Sequence, residues 1–213
     1  MNRPIVHVNC AMSADGKIAG SDRAQVRISS AEDMQRVKGM RMDHDAILVG
    51  IGTVLYDDPH LTVKGLKKEQ NPIRVVLDSR GRTPDNAQVL DDRARTVIVT
   101  SEDCDKTWEG SEVIRAGRGR VNLRMALGAL HDLGIGSVMV EGGGEVIASF
   151  FENGLVDEYT VFVGSMIIGG RNAPTPADGD GRKVGSNARL HLEEYSLLGD
   201  GVLLRYTVQN DHL

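Results

Sequence analysis

The sequence predicts an α/β fold: a mostly parallel central sheet flanked by helices, closed by a C-terminal antiparallel hairpin. Three observations carry that expectation. Short Val-, Ile- and Thr-rich runs alternate with helical patterns and Gly-rich joints along the 213 residues, the signature of a parallel sheet covered by helices. The last two runs are separated only by Gly199-Asp200-Gly201, a strong hairpin signal. Hydrophobic residues make up 40% and aromatics only 4%, so a core of Val, Ile, Leu, Ala and Met is expected, within one domain spanning residues 1–213.

Strands are expected at 5–11, 46–49, 73–78, 96–100, 113–115, 137–141, 158–163, 189–198 and 202–208. A first helix follows Ser29-Ser30, where either serine can cap and Glu32 and Asp33 supply the acidic first turn; Met34, Val37 and Arg41 then share one face. Asn122 caps another helix, with Leu123, Ala126, Leu127, Leu130 and Leu133 on one stripe and Gly134 ending it. A further helix starts at Gly142-Gly143-Gly144 and runs through Val146, Ile147, Phe150 and Phe151 to Asn153-Gly154. The stretch from Arg171 to Asn187, rich in Gly, Pro, Asp and Ala, reads as a long exposed loop, functional or simply a surface insertion.

Composition excludes several classes. A net charge of -5 repels polyphosphate in general, so nucleic acid is a poor partner and any phosphate needs a local basic or amide-rich site. There is no apolar run of eighteen residues to span a bilayer, and the N-terminal stretch lacks the apolar core of a secretory signal. Cys10 and Cys104 form no Cys-x-x-Cys pair, and the six histidines have no partner at metal-ligand spacing, so a cytoplasmic protein without a metal is expected.

Four motifs could carry chemistry. Val138-Met139-Val140-Glu141-Gly142-Gly143-Gly144-Glu145-Val146 delivers a buried strand to three glycines and a helix start, where exposed amides and the helix dipole suit a phosphate. A plain strand-to-helix turn is the alternative, and no standard dinucleotide fingerprint is present, since Ile147 stands where the third glycine should be. Gly50-Ile51-Gly52-Thr53 places Thr53 at the end of another strand, as a ligand contact or only a helix start. Asp78-Ser79-Arg80-Gly81-Arg82-Thr83 empties a strand into two arginines suited to a phosphate monoester such as the 2′-phosphate of NADP, or merely solvated. Asp15-Gly16-Lys17 holds a lysine near the end of the first strand, where it could donate a proton or neutralise an anion, or simply face water.

The order of these pieces closely resembles that of the riboflavin-biosynthesis reductases, a family with a dihydrofolate-reductase-like fold. The matching stretches are Ser13-Ala14-Asp15-Gly16-Lys17-Ile18-Ala19, Arg41-Met42-Asp43-His44-Asp45-Ala46-Ile47-Leu48-Val49-Gly50, Gly52-Thr53-Val54-Leu55-Tyr56-Asp57-Asp58-Pro59-His60-Leu61-Thr62, Arg74-Val75-Val76-Leu77-Asp78-Ser79 and Val140-Glu141-Gly142-Gly143. The resemblance implies that Thr53, Asp57, Ser79, Gly143, Gly144, Glu145, Val146 and Ile147 contact the cofactor; Gly142, Arg80 and Arg82 join them from the motifs. It implies that Arg41, Leu61, Lys64 and Glu141 contact substrate, with Arg41 a partner for a 5′-phosphate and Lys17 and Glu141 the polar groups around the reacting ribose carbon. One departure is Arg27, where the bacterial enzymes often carry Trp, which leaves the nicotinamide-side contact open.

The implied chemistry is hydride transfer from NADPH, with NADH possible, to C1′ of a ribosylaminopyrimidine phosphate. Without a zinc-deaminase pattern in the chain, the resemblance points to the stand-alone archaeal and fungal arrangement. There the substrate is 2,5-diamino-6-ribosylamino-4(3H)-pyrimidinone 5′-phosphate. Alternatives are reduction after deamination, on 5-amino-6-ribosylaminouracil 5′-phosphate, a pteridine reductase on the same fold, and a nucleotide-binding module without catalysis. A homodimer is implied as well, with the apolar terminal strands as an isologous interface.

Overall fold

In the computed structural model, which describes residues 2–181, 183 and 186–209, every expected strand and helix forms. In chain order the elements are β1 (Ile5–Ser13), α1 (Ala31–Asp43), β2 (Ala46–Gly50), α2 (Ile51–Asp57), β3 (Ile73–Leu77), β4 (Thr96–Thr100) and β5 (Glu112–Arg115). They continue with α3 (Leu123–Asp132), β6 (Ser137–Gly142), α4 (Gly144–Glu152), β7 (Glu158–Gly164), β8 (Arg189–Leu198) and β9 (Gly201–Gln209). The hydrogen-bonding order is β5-β4-β3-β2-β6-β1-β7-β9-β8. Strands β2 to β5 pair in parallel, as do β1 and β7, while β9 pairs antiparallel with both β7 and β8.

The differences from the sequence reading have local causes. Strand β1 runs on to Ser13 because its register with β7 continues as far as Ser13 opposite Gly164. Strand β9 begins at Gly201, paired with Leu198, so the turn is Gly199-Asp200 alone. Gly201 lies flat on the Phe162 ring, where a Cβ would come within 2.4 Å, so this strand position accepts no side chain. Ser30 is the cap of α1, its Oγ accepting from Asp33 N at 3.1 Å. The Met34–Val37–Arg41 face is not the buried one, however: Met34 is 53% exposed and Asp33 is the buried residue of α1. Asp33 Oδ1 accepts from Arg36, whose guanidinium also reaches Asn9 Oδ1 of β1, so this end of the helix docks through charge-assisted bonds.

Contacts group the chain into two compact units, Met1–Ile5 with Gly39–Met139 and Val6–Lys38 with Val140–Leu213. In the first unit, Ile47, Val49, Val54, Leu61, Val76 and Trp108 belong to one buried cluster. Beside it lies Arg74 of β3, with a fully buried side chain. Its guanidinium donates to Thr96 Oγ1, to the carbonyls of His60, Gln88, Asp91 and Ala94, and to Asp91 Oδ1 at 2.7 Å. A buried guanidinium is tolerated because its donors are answered; one loop after another is tied to it as a result. Burial pushes the Asp91 carboxyl up, but the bonds from Arg74, Arg93 and His60 outweigh it and hold it below its ordinary value.

In the second unit, α1 meets the β1 face carrying Asn9, and α4 meets the opposite face of β7 through Phe151, edge-on to Tyr159 at 5.5 Å. Tyr159 stacks on its register partner Tyr206 of β9 at 6.0 Å. Its hydroxyl lies 3.5 Å from Cys10 Sγ, and burial pushes that thiol up to about 11, so Cys10 stays protonated at neutral pH.

Replacing Asp91 by Ala leaves the Arg74 charge buried without its carboxylate, and a loss of about 3 kcal/mol in urea unfolding at pH 7 is expected. The folded carboxyl is depressed, so its stabilisation is present above the unfolded pKa near 4 and is lost as pH falls through the folded value. The gap between variant and wild type should therefore narrow in acid. A gap that is absent at pH 7, or constant with pH, contradicts this account.

Candidate active site

In each unit the candidate residues follow strands: β2 and β3 in the first, β1 and β6 in the second. In the first unit, β2 leads through Gly50 into α2, putting Thr53 in the first helical turn and exposed Asp57 in the last. Beyond β3, buried Asp78 folds the next turn back on itself, its Oδ2 accepting from Thr83 N at 2.7 Å and Thr83 Oγ1 at 2.8 Å. That turn exposes Arg80 and Arg82 on either side of Gly81, which sits at φ +68°.

Ser79 opens the same turn. Its Oγ accepts from Val121 N at 3.0 Å, and its carbonyl accepts from Ser101 Oγ at 2.8 Å. The ends of β3 and β4 and the chain leading into α3 thus meet at one serine. Ser101 and Val121 fall outside the four motifs of the sequence, and only their bonds to Ser79 bring them to this turn.

Three of the four expected substrate contacts, Arg41, Leu61 and Lys64, lie in this unit as well. Arg41, at the end of α1, donates from Nη1 to Thr62 O at 3.2 Å, which puts it against the stretch that carries Leu61 and exposed Lys64. Leu61 has φ +50° and is 3% exposed, its side chain belonging to the core cluster, so only its backbone can meet a ligand. Asp58 braces the approach: its Oδ1 accepts from Gln88 N and its carbonyl from Gln88 Nε2. Arg74 binds the carbonyls of both His60 and Gln88, so the buried arginine ties the start of the 60–64 stretch to the 88–90 turn. Arg74 stood in a matching stretch of the sequence with no role attached to it.

In the second unit, β1 ends at Ser13, whose Oγ donates to Asp15 at 2.6 Å and accepts from Lys17 N at 2.9 Å. Asp15 also accepts from Ile168 N and Gly169 N. The Ser13 hydroxyl first, and these amides with it, hold the exposed Asp15 carboxyl down at about 2. The Lys17 ammonium donates to Ala173 O at 3.0 Å, and Ile18 N donates to Pro174 O at 3.0 Å. Glu141, half-buried, stands at the end of β6, the neighbour of β1 in the strand order.

Past Glu141, Gly142 takes φ +132°, a conformation that favours glycine, and Gly143 caps α4 without a side chain. The amides of Val146 and Ile147 already donate to Gly143 O, and Ile147 is buried. The Gly143, Gly144 and Glu145 amides stand at the open start of the helix, where among the described residues no side chain caps them, and Gly144 itself is buried. At Gly144 a Cβ would lie 2.3 Å from Thr175 O and 2.6 Å from Asp178 Oδ2. Part of the expected long loop is therefore strapped across the first turn of α4; Arg182, Val184 and Gly185 of that loop lie outside the described residues.

Residues 4–204 match the family model described as the RibD C-terminal domain. The chain belongs to that family. This RibD C-terminal domain is 43% identical over 213 residues to the 2,5-diamino-6-ribosylamino-4(3H)-pyrimidinone 5′-phosphate reductase of Archaeoglobus fulgidus, covering 93% of this chain and 95% of that one. Among solved structures it is similar to a Thermotoga maritima diaminohydroxyphosphoribosylaminopyrimidine deaminase/5-amino-6-(5-phosphoribosylamino)uracil reductase, with TM-score 0.82 and 28% identity. It covers 57% of that longer protein, against 97% of itself. A dihydrofolate reductase from Enterococcus faecalis, complexed with NADP(H), matches with TM-score 0.56 at 14% identity, a likeness of fold alone. The dihydrofolate-reductase-like α/β architecture expected from the sequence is the one observed.

Gly144→Ala in this RibD C-terminal domain forces a methyl group into the Thr175 carbonyl. A loss of about 1–3 kcal/mol in urea unfolding is expected, with faster proteolysis within 171–181. Unchanged stability and unchanged cleavage would show that the strap does not lie there.

Proposed function

We propose that this chain reduces the ribosylamino group of 2,5-diamino-6-ribosylamino-4(3H)-pyrimidinone 5′-phosphate to a ribitylamino group in riboflavin biosynthesis, using NADPH. The near full-length likeness to a stand-alone reductase named for that substrate carries the reading. It also favours reduction before deamination over the uracil substrate named for the longer Thermotoga maritima protein. A pteridine reductase would want an acidic residue on this helix free to face the ring, whereas Asp33 of α1 is fully buried and paired with Arg36, so that alternative loses support.

The residues fit a nicotinamide dinucleotide. The uncapped start of α4 offers the Gly143, Gly144 and Glu145 amides to the linking phosphates. Thr53, Asp57 and Ser79 contact the remainder of the dinucleotide, and exposed Arg80 and Arg82 meet an added 2′-phosphate. When bound, the reduced ring supplies a hydride to C1′ of the opened ribosylamine. Arg41 and Lys64 hold the 5′-phosphate, and the Leu61 backbone lines the same corner. Lys17 delivers a proton to the ring oxygen as the ribose opens, and Glu141 holds a sugar hydroxyl, so both act at the reacting end. The residues 1–213 act as one reductase domain, and two free cysteines suit a reducing cytoplasm.

The same reading includes a homodimer formed through β8 and β9. Along this ribbon Leu190 pairs with Val208, Leu192 with Tyr206, Tyr195 with Leu204 and Leu197 with Val202. A bulge at Glu193 shifts the alternation by one residue, so all four pairs share one face. Tyr195 is 73% and Leu197 85% exposed, on an edge strand. An apolar face on an unprotected edge is what a second copy would cover.

Two experiments test this. Incubated with the ribosylaminopyrimidine phosphate, the protein should oxidise NADPH, and Arg80→Ala with Arg82→Ala should raise KM for NADPH roughly tenfold while leaving NADH little changed. Turnover of dihydrofolate alone, or equal losses with both cofactors, contradicts the assignment. By light scattering, Leu197→Asp should convert a dimer to a monomer; a wild-type monomer, or a variant that stays dimeric, counts against the hairpin interface.

A further inference from the structure

The segment 173–178 touches two things at once: the lysine at the end of β1 and the first turn of α4. Its carbonyls at Ala173 and Pro174 accept from Lys17 Nζ and Ile18 N, each at 3.0 Å. Four residues on, Asp178 N donates to Gly144 O at 3.2 Å. Between these two attachments the chain must reverse, and Asp178 makes it do so. Its Oδ1 accepts from both Thr175 N at 2.9 Å and Thr175 Oγ1 at 2.8 Å, closing a tight loop over residues 175–178. The other carboxylate oxygen lies against Gly144 Cα, in space that a side chain there would fill.

We infer that Asp178 is a positioning residue for the reduction: by closing the 175–178 loop on α4 it fixes the Ala173 carbonyl that holds the Lys17 ammonium. The inference rests on the proposed role of Lys17 as proton donor. A lysine ends in a freely rotating ammonium on a flexible four-carbon stem, so its charge is poorly placed unless a second group fixes it. The neighbouring backbone is already fixed, since Ser13 Oγ accepts from Lys17 N and Asp15 ties the turn to Ile168 and Gly169. What remains is the direction of Nζ, which the Ala173 carbonyl sets. That carbonyl belongs to a segment with no helix or strand of its own, so its place comes from the bond between Ile18 N and the next carbonyl, Pro174 O, and from the segment's two ends. One end is held by Gly170, whose carbonyl accepts from Ala173 N at 3.3 Å; the other is held by Asp178.

The acceptor role needs an oxygen and not a charge. Asp178→Asn keeps an Oδ1 for the two Thr175 bonds, whereas Asp178→Ala removes it. The test is a double-mutant cycle with steady-state kinetics on the full chain, using NADPH and the ribosylaminopyrimidine phosphate. Asp178→Ala is expected to lower kcat about tenfold with KM for the pyrimidine within about twofold, and Asp178→Asn to recover most of the loss. In the Lys17→Ala background, Asp178→Ala should cost nothing further, because the group it positions is gone.

Losses that add in the double variant would overturn the inference while leaving Lys17 as the donor. So would an Asn variant as slow as the Ala variant. Wild-type kcat in Lys17→Ala alone would remove the proton-donor reading itself, and the inference with it. Circular dichroism and thermal midpoints check that each variant is folded; if Asp178→Ala is not, Thr175→Val, which deletes one of the two bonds, takes its place in the cycle with a smaller expected loss.

Discussion

The packing of the strap on α4 in the second unit depends on the absence of a side chain at Gly144. A Cβ there would strike the Thr175 carbonyl and the Asp178 carboxylate, so the strap 173–178 can cross the first turn of α4 only over a glycine. The same bare backbone leaves amides of the helix start uncapped, where the helix dipole is strongest. One missing methyl group therefore allows two things: a close approach by the protein's own chain, and a surface of amide donors for an anionic ligand. Lys17 is linked to this arrangement through Ala173, which brings a cation, a helix start and a loop into one connected piece of structure.

The first unit solves a different problem, how to hold the 58–64 stretch, which has no helix or strand of its own. Arg74 does this from inside. Its fully buried guanidinium collects carbonyls from 60, 88, 91 and 94, so loops that share no secondary structure share one charge. Leu61 adds a hydrophobic peg, accepting φ +50° to put its side chain in the core while Thr62 meets Arg41. In a chain of net charge -5, the basic groups that suit phosphates are local, at Arg41 with Lys64 and at Arg80 with Arg82. Their attraction acts at short range, since mobile ions screen exposed charges beyond about 10 Å at 0.1 M salt.

Most of the architecture was legible because the periodicities are clean. Strands β4 and β8 have the bounds their residue patterns imply, Ser30 and Asn122 cap as expected, and Gly134 and Gly154 take positive φ just past their helices. The motif glycines and arginines were legible too, as residues that follow strands. What escaped were features that exist only in three dimensions. A buried arginine reads as a surface charge in a linear pattern, because nothing nearby announces its six acceptors on distant loops. The junction of Ser79 with Ser101 and Val121 joins two strand ends and the approach to α3, which lie far apart in sequence. The strap was seen as a loop, but Gly144 as a packing necessity could be known only once Thr175 was beside it.

The central claim is that the amides opening α4 receive the phosphates of the dinucleotide. A titration of uniformly 15N-labelled protein with NADPH, followed through assigned backbone amide resonances, addresses it directly. The Gly143, Gly144 and Glu145 amides should move most and saturate together with cofactor oxidation activity. If the cofactor binds while those three resonances stay where they are, its phosphates lie elsewhere, and the site built around α4 is wrong.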